Sequence, residues 1–476
     1  MAKNITNSRI AKNVGLSVVV QAVSLLTSFI LGFIVPKFIE KIDYSYWQSY
    51  TLYIAYVNIF QFGLLEGILL RYSQYDYEEL NKPRIRSLLR FMMAVLSLFS
   101  AAGIALSFVF QGEYRWVVIF ISVGILTKNL FNYTIYIYQV CNRINLYALI
   151  VIVHRLIYAL IVVILIATGV KSFYLYCVAE LISDILASVI GAIFSKPLYV
   201  GRGNALAEIF TEAKACTRAG VQLLIANISS GLLISGAKMV VEWHWDSLTF
   251  SDVSFAFSLF GVFFSFLTAI GTVLFPSLKR LKEEQLPSIY KKFRDQIQPL
   301  VFGMLLLYFP ACYILTLWLP NYSASLYYLG ISLPMVVFAS KVTLLTNNYL
   351  KIYRKEKAML AINLASVVVC FVLCLLSAYV FNNLIALLYI LTFVSIGRAI
   401  VSEIFVMRIL GQRFVLDFFI EIGMAVAFVL CAQLLSLWIG CLVYGVTFVA
   451  YLLLSYKKLA GTWQSIKARL KKKQDH

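Results

Sequence analysis

Runs of about 20 predominantly apolar residues recur along nearly the whole chain, and an α-helix needs about that length to cross a bilayer. A first group of six lies at roughly 14 to 36, 46 to 70, 91 to 110, 116 to 140, 146 to 168 and 173 to 195. A second group of six lies at roughly 219 to 241, 252 to 275, 300 to 319, 325 to 350, 358 to 381 and 384 to 407. A last pair follows at about 418 to 437 and 439 to 456. Backbone groups inside hydrocarbon must satisfy one another, so the expected fold is an all-α polytopic membrane protein of about 14 transmembrane helices. With 61% hydrophobic residues, 13% charged and a mean hydropathy of +0.85, a water-soluble fold could not cover its own apolar surface.

Charge placement orients these spans. Thirty-two of the 41 Lys and Arg residues fall in the amino-terminal stub, the turns after even-numbered spans and the tail, while Lys37, Lys41, Arg115 and Lys171 lie on the other side. By the positive-inside rule both termini are expected in the cytoplasm, in keeping with an even number of spans. The net charge of +19 therefore reads as a topology signal, and no nucleic-acid partner is expected. The first run follows Lys3, Arg9 and Lys12, is too long for a signal-peptide core and lacks a small-residue cleavage site, so it reads as an uncleaved first span.

No hydrophilic segment exceeds about 20 residues, against the roughly 40 a domain needs to fold unaided, so no soluble catalytic domain is expected. The eight cysteines lie in spans or on the basic side, and neither a disulfide, a metal site nor a cofactor is expected. The chain thus divides into a six-helix bundle (1–195), an amphipathic linker (196–217), a second six-helix bundle (218–407), an extra transmembrane hairpin (408–456) and a basic tail (457–476). Helical spacing of Leu206, Ile209, Phe210 and Ala213, of Leu286, Tyr290, Phe293 and Ile297, and of Trp463, Ile466 and Leu470 suits helices lying on an anionic membrane surface. The halves look pseudo-symmetric: Tyr138, Arg143 and Ala148 recur in outline as Tyr349, Arg354 and Ala358, each set following an intramembrane lysine, Lys128 or Lys341. Repeats of this kind are typical of transporters that bind substrate near the midplane.

Polar groups inside spans are costly, so their placement carries functional information. Asn13, Ser17, Gln21, Ser24 and Ser28 form one stripe down the first span, and Ser254, Ser258, Gly261, Ser265, Thr268 and Thr272 form another down the eighth. Close packing through small residues explains either stripe alone; two stripes in opposite halves favour a hydrated cavity. The intramembrane charges are Lys128, Arg155, Lys238, Lys341 and Arg398 against Glu66, Glu180, Asp184 and Glu403. Depth matches Glu180 with Lys128, Asp184 with Arg155, and Arg398 with Glu403, either as structural ion pairs or as ion-coupling groups. His154 stands alone and reads as a packed histidine.

Lys238 has no acid within a turn except Glu242 and shares a face with Asn227, Ser230 and Gly231, so it is expected to point into the cavity, the alternative being snorkelling to the interface. Together with Arg71, Lys341, Gln21 and Asn227 it forms the expected binding set for an anionic headgroup, with Glu66 a titratable group near the cytoplasmic mouth. Pro310 and Pro334 are expected hinges. Neither a nucleophile with its base nor a phosphate-cradling loop is present, and a transporter is expected, not an enzyme.

The second span ends Phe62-Gly63-Leu64-Leu65-Glu66-Gly67-Ile68-Leu69-Leu70-Arg71-Tyr72. Further on stand Phe275-Pro276-Ser277-Leu278-Lys279-Arg280, Trp318-Leu319-Pro320-Asn321-Tyr322, and a run from Asn348-Tyr349 through Lys357 to Asn363. In these motifs, their order and their spacing, the chain resembles the polysaccharide-type flippases of the multidrug/oligosaccharidyl-lipid/polysaccharide superfamily. The resemblance implies two six-helix bundles facing each other in a bacterial inner or plasma membrane. It also implies export of undecaprenyl-diphosphate-linked oligosaccharide repeat units by alternating access, for lipopolysaccharide or capsule. Implied partners are the lipid-linked oligosaccharide, membrane lipids, a coupling ion (H+ or Na+) and polysaccharide polymerase machinery. Many members carry a cation in the first span, which this chain lacks. The alternatives are a multidrug exporter of the same superfamily and, less favoured because the outer loops are short, a membrane polysaccharide polymerase or ligase.

Overall fold

The computed structural model describes the backbone of residues 2–278, 283–412 and 415–474, and side chains from Gly15 to Tyr456 except at 17, 206, 230, 266, 268–283 and 413–415. The side chains of Asn13, Ser17, Ser230, Thr268 and Thr272, the 275–280 motif and the tail residues Trp463, Ile466 and Leu470 lie outside the described residues. Every regular element described is helical.

The chain forms two compact units, Met1–Ser254 and Phe255–His476. The first contains α1 (Ala2–Phe29), α2 (Val35–Phe38), α3 (Lys41–Ile54), α4 (Leu64–Tyr72), α5 (Lys82–Ser107), α6 (Glu113–Val140), α7 (Ile144–Ala167), α8 (Phe173–Phe194) and α9 (Leu206–His244). The unit boundary falls inside α10 (Ser247–Leu278). The second contains α11 (Leu286–Leu305), α12 (Tyr308–Trp318), α13 (Ser323–Ser332), α14 (Met335–Ser340), α15 (Asn347–Ile352), α16 (Glu356–Tyr379), α17 (Leu384–Leu410), α18 (Val415–Leu434) and α19 (Leu437–Gln474).

Among the described residues, eleven helices are long and apolar enough to cross a membrane, and counting each of three bent pairs as one span gives up to 14, the number of apolar runs in the sequence. The pair at Lys41–Gln61 and Leu64–Tyr72 bends by 58° where Phe62 (φ +53°) and Gly63 (φ +84°) adopt left-handed backbone. The pair Pro320–Ser332 and Met335–Ile352 bends by 52° beside Pro334, which cannot donate to the helical ladder. Pro310, by contrast, sits in the first turn of α12, where a missing N–H costs little.

In the first unit α6 packs against α3, α4, α5 and α8, and α4 lies against α9 along a glycine seam. A Cβ on Gly67 would fall 1.9 Å from the Cys216 carbonyl oxygen, and one on Gly220 would fall 2.0 Å from that of Gly63. Only bare backbone allows that approach. This seam binds the seventh span to the first six, so the compact unit extends past the 196–217 linker to Ser254. The linker itself starts α9, which continues into the span with a 61° bend between Ala207–Ser229 and Gly231–His244.

In the second unit α17 packs against α13, α14 and α16, and α11 against α19. The segment of Leu286, Tyr290 and Ile297, expected to lie on the membrane surface, is instead in the core, with all three side chains buried. Its helix leads into the span Leu286–Trp318, and Arg294 at its centre is held by carboxylates from α17 and α18, which draws this face inward.

Candidate functional site

Two clusters of intramembrane charge are built from the residues singled out by sequence. In the first unit, Glu180 and Asp184 stand one helical turn apart on α8 and face Lys128 of α6. The Lys128 ammonium lies 2.5 Å from Glu180 Oε1 and 3.5 Å from Asp184 Oδ1. His154 of α7 completes the cluster, its Nε2 2.9 Å from Asp184 Oδ1 and its ring stacked on Phe131 at 4.3 Å. The histidine read as solitary thus faces the carboxylate that depth had matched with Arg155. Neighbouring helical residues point about 100° apart, so turning His154 toward α8 turns Arg155 away. Arg155 has no carboxylate within 4.0 Å among the described residues, yet lies near enough to Lys128 and His154 to oppose a positive charge on either.

In the second unit Lys341, opening a π-helical turn (Lys341–Thr346), pairs with Glu403 of α17 and with Glu421 of α18 at 2.6 Å. Arg294 of α11 reaches Glu403 at 2.6 Å and both Asp417 and Glu421 at 2.7 Å. Lys341 is therefore sealed among carboxylates and is not an open headgroup contact, because α17 and α18 bring two acids to its depth. Arg398 does not pair with Glu403. Five residues along a helix sit about 140° apart around the axis, so Glu403 faces Arg294 while the buried Arg398 faces elsewhere, its Nε without a hydrogen-bond partner among the described residues.

Arg294, Asp417 and Glu421 were not among the sequence-selected residues. The i, i+4 acids Asp417 and Glu421 repeat the Glu180/Asp184 signature at the start of an apolar run, which was the available signal. Arg294 carried none, because it reads as one cation of a basic loop.

The remaining candidates lie in the first unit. Lys238 of α9 is half-buried; its Nζ donates to Gln48 Oε1 of α3 at 3.3 Å and sits 5.7 Å from the Phe250 ring centre. No carboxylate comes within 4.0 Å of it among the described residues, although Glu242 is one turn away on the same helix. Gln21 on α1 is half-buried and Asn227 on α9 exposed. Arg71, expected to meet a headgroup, is already engaged: its Nε and Nη2 donate to Glu212 Oε1 at 3.2 and 3.0 Å, and the Tyr72 hydroxyl donates to the same oxygen at 2.8 Å. The glycine seam causes this by bringing the end of α4 against the first turns of α9. Glu66 is buried; it accepts from Gln61 Nε2 at 2.7 Å and from the Tyr136 hydroxyl at 3.2 Å.

Chemically, the first unit holds two cations, Lys238 and Arg155, with no carboxylate within 4.0 Å among the described residues, together with the buried acid pair Glu180 and Asp184 and the buried Glu66. Such an arrangement can attract an anionic group and exchange a proton.

No family model matches the chain, and no curated protein sequence matches it. Solved structures do. The lipid II flippase MurJ in an inward closed conformation superposes with a TM-score of 0.69 at 11% identity, covering 94% of this chain and 99% of that one. A multidrug resistance MATE family transporter of the MOP superfamily, inward-facing, gives 0.56 at 14% identity, covering 84% of this chain and 94% of that one. A MOP superfamily transporter from Pyrococcus furiosus, described as having a binding pocket of reverse polarity, gives 0.51 at 12% identity over 84% of this chain and 95% of that one. The chain is a multi-pass membrane protein that shares the fold of these solved structures.

Proposed function

We propose that the protein is a flippase that moves an undecaprenyl-diphosphate-linked oligosaccharide repeat unit from the cytoplasmic to the outer leaflet for surface polysaccharide assembly. The observation that carries the reading is Lys238, a cation at membrane depth whose ammonium donates to a neutral amide, so that its charge remains available to a diphosphate or acidic sugar. Arg155 is a second such cation, and takes the place in the binding set that Arg71 and Lys341 lose to their carboxylates. Gln21 and Asn227 supply neutral hydrogen-bonding groups for sugar hydroxyls. The likeness to a lipid II flippase over 94% of the chain supports a lipid-linked cargo over a drug, for which the matching structures cover 84%. Glu66, buried and hydrogen-bonded through both carboxylate oxygens, is the first candidate for coupling export to proton entry.

The test is a strain in which Lys238→Ala or Lys238→Glu replaces the native protein at equal abundance. Surface polysaccharide is expected to fall, more steeply for the glutamate, while a lipid-linked repeat unit accumulates in the membrane. Wild-type polymer from both variants removes Lys238 from the mechanism, and normal polymer with altered drug accumulation favours an exporter.

A further inference from the structure

Between α5 and α9 the first unit opens into two neighbouring cavities, neither of which involves the intramembrane charges described above. The smaller has a volume of about 460 Å3, and its walls include Phe60, Phe62, Leu64, Phe91, Met92 and Val95. The larger, about 940 Å3, has a mainly apolar wall that carries Ser87, Arg90, Asn204 and Thr211 as its polar side chains. Both touch Phe91 and Phe210, whose rings meet edge to face at 6.3 Å and form the partition. Volumes of this order are those of ligand sites, roughly 300 to 1,000 Å3.

The charges around this pair of cavities have one sign. Lys214 and Arg218, one turn apart on α9, line the smaller cavity, and Arg90 lines the larger. Neither Lys214 nor Arg218 has a carboxylate within 4.0 Å among the described residues. The nearby acids are occupied, Glu212 by Arg71 and Tyr72 and Glu208 by the Asn204 amide. Both cations also stand just before the apolar run that begins near 219, the depth at which phosphates lie in a bilayer.

We infer that this pair of cavities is a binding site for one anionic phospholipid of the leaflet on the basic side. Its phosphate sits against Lys214 and Arg218, its glycerol and headgroup in the chamber of Arg90, Ser87 and Asn204, and an acyl chain in the phenylalanine-lined chamber. Three observations select this occupant: an apolar chamber, a second chamber whose apolar wall carries a group of polar side chains, and cations at phosphate depth with no carboxylate within 4.0 Å among the described residues. A protein segment would be expected to bring carboxylates, and a zwitterionic lipid would bring its own cation to the same place. Phe210, 63% exposed on the linker portion of α9, becomes the side chain that separates chain from headgroup. The inference does not depend on which cargo the protein carries.

The test places p-benzoylphenylalanine at Thr217, which lines the smaller cavity, in the full-length protein reconstituted into vesicles of equal phosphatidylglycerol and phosphatidylcholine. After irradiation, adduct masses are expected to favour phosphatidylglycerol by roughly thirtyfold, the scale of two interfacial cations. The double variant Lys214→Gln with Arg218→Gln is expected to give equal yields of the two adducts. Equal yields with both cations present, or no lipid adduct, would overturn the proposal. So would displacement of the phosphatidylglycerol adduct by a few mole per cent of undecaprenyl phosphate, which would make the cavity a cargo site.

Discussion

Lys128 in the first unit and Lys341 in the second are each set against two carboxylates and each followed by a buried tyrosine, Tyr138 or Tyr349, but the two clusters are finished differently. Around Lys341 the two acids are shared with Arg294, so Lys341, Arg294, Glu403 and Glu421 each have at least two opposite partners, and these four side chains are almost wholly buried. Around Lys128 the sharing partner of Asp184 is His154, which is charged only when protonated, and Asp184 Oδ2 is buried without a hydrogen-bond partner among the described residues. Arg155, a permanent extra cation nearby, has no carboxylate within 4.0 Å among the described residues. A saturated network has a single stable arrangement and its value is structural; an unsaturated one can change its protonation or accept a ligand without breaking. The same lysine-dicarboxylate motif therefore marks scaffold in one unit and candidate machinery in the other.

The contrast is most exposed to failure at Arg294. Arg294→Met would leave Glu403 and Glu421 to share one lysine and remove the guanidinium from Asp417, and breaking a buried network in this way costs about 3 to 5 kcal/mol. The expected outcome is a lowered melting temperature or loss of the folded protein in detergent. An unchanged melt would mean that the second unit holds its acids protonated, and the assignment of scaffold would fall.

Lys128→Met tests the other side. The Lys128 side chain is 19% exposed and Glu180 12%, so water takes part in solvating the acids left behind, and His154 can gain a proton to balance Asp184. A loss of about 2 kcal/mol is expected, between exposed and sealed pairs. Adding His154→Gln should then cost more in the Lys128→Met background than in the native one, a coupling readable from a double-mutant cycle of melting midpoints. Additive effects would show that His154 is packing only.

Much of this was legible in the sequence. Span number followed from run length, because hydrocarbon thickness fixes how many apolar residues a crossing takes, and the Lys128–Glu180 pair followed from depth. Rotation about the helix axis was not legible: Arg155 and His154 differ by one residue in depth and by about 100° in direction, and only packing against α8 decides which of them meets Asp184. Arg71 was misplaced for a related reason. Its motif was read correctly as a close-approach signal, but Glu212, the partner that the approach delivers, lies 141 residues away in a segment whose helix looked like a surface linker. The Leu286–Ile297 stretch shows the same limit, since an amphipathic face states that something covers it without stating whether lipid or protein does.

The smallest structural effect is expected at Arg155, and there it decides most. With no ion pair to lose, Arg155→Gln should leave the melting midpoint within about 0.5 kcal/mol of the native protein, as for substitutions that break no buried contact. If the guanidinium instead meets an anionic cargo, a charge-assisted hydrogen bond worth about 1.5 to 3 kcal/mol disappears from the bound state, and export at matched abundance should fall by roughly tenfold or more. Arg155→Lys, which keeps the charge and loses the fork geometry, should recover part of that export. Destabilisation as large as that of Lys128→Met would mean that Arg155 is bound into the fold after all. The first cluster would then be as saturated as the second, and the distinction between machinery and scaffold would have to rest on Lys238 alone.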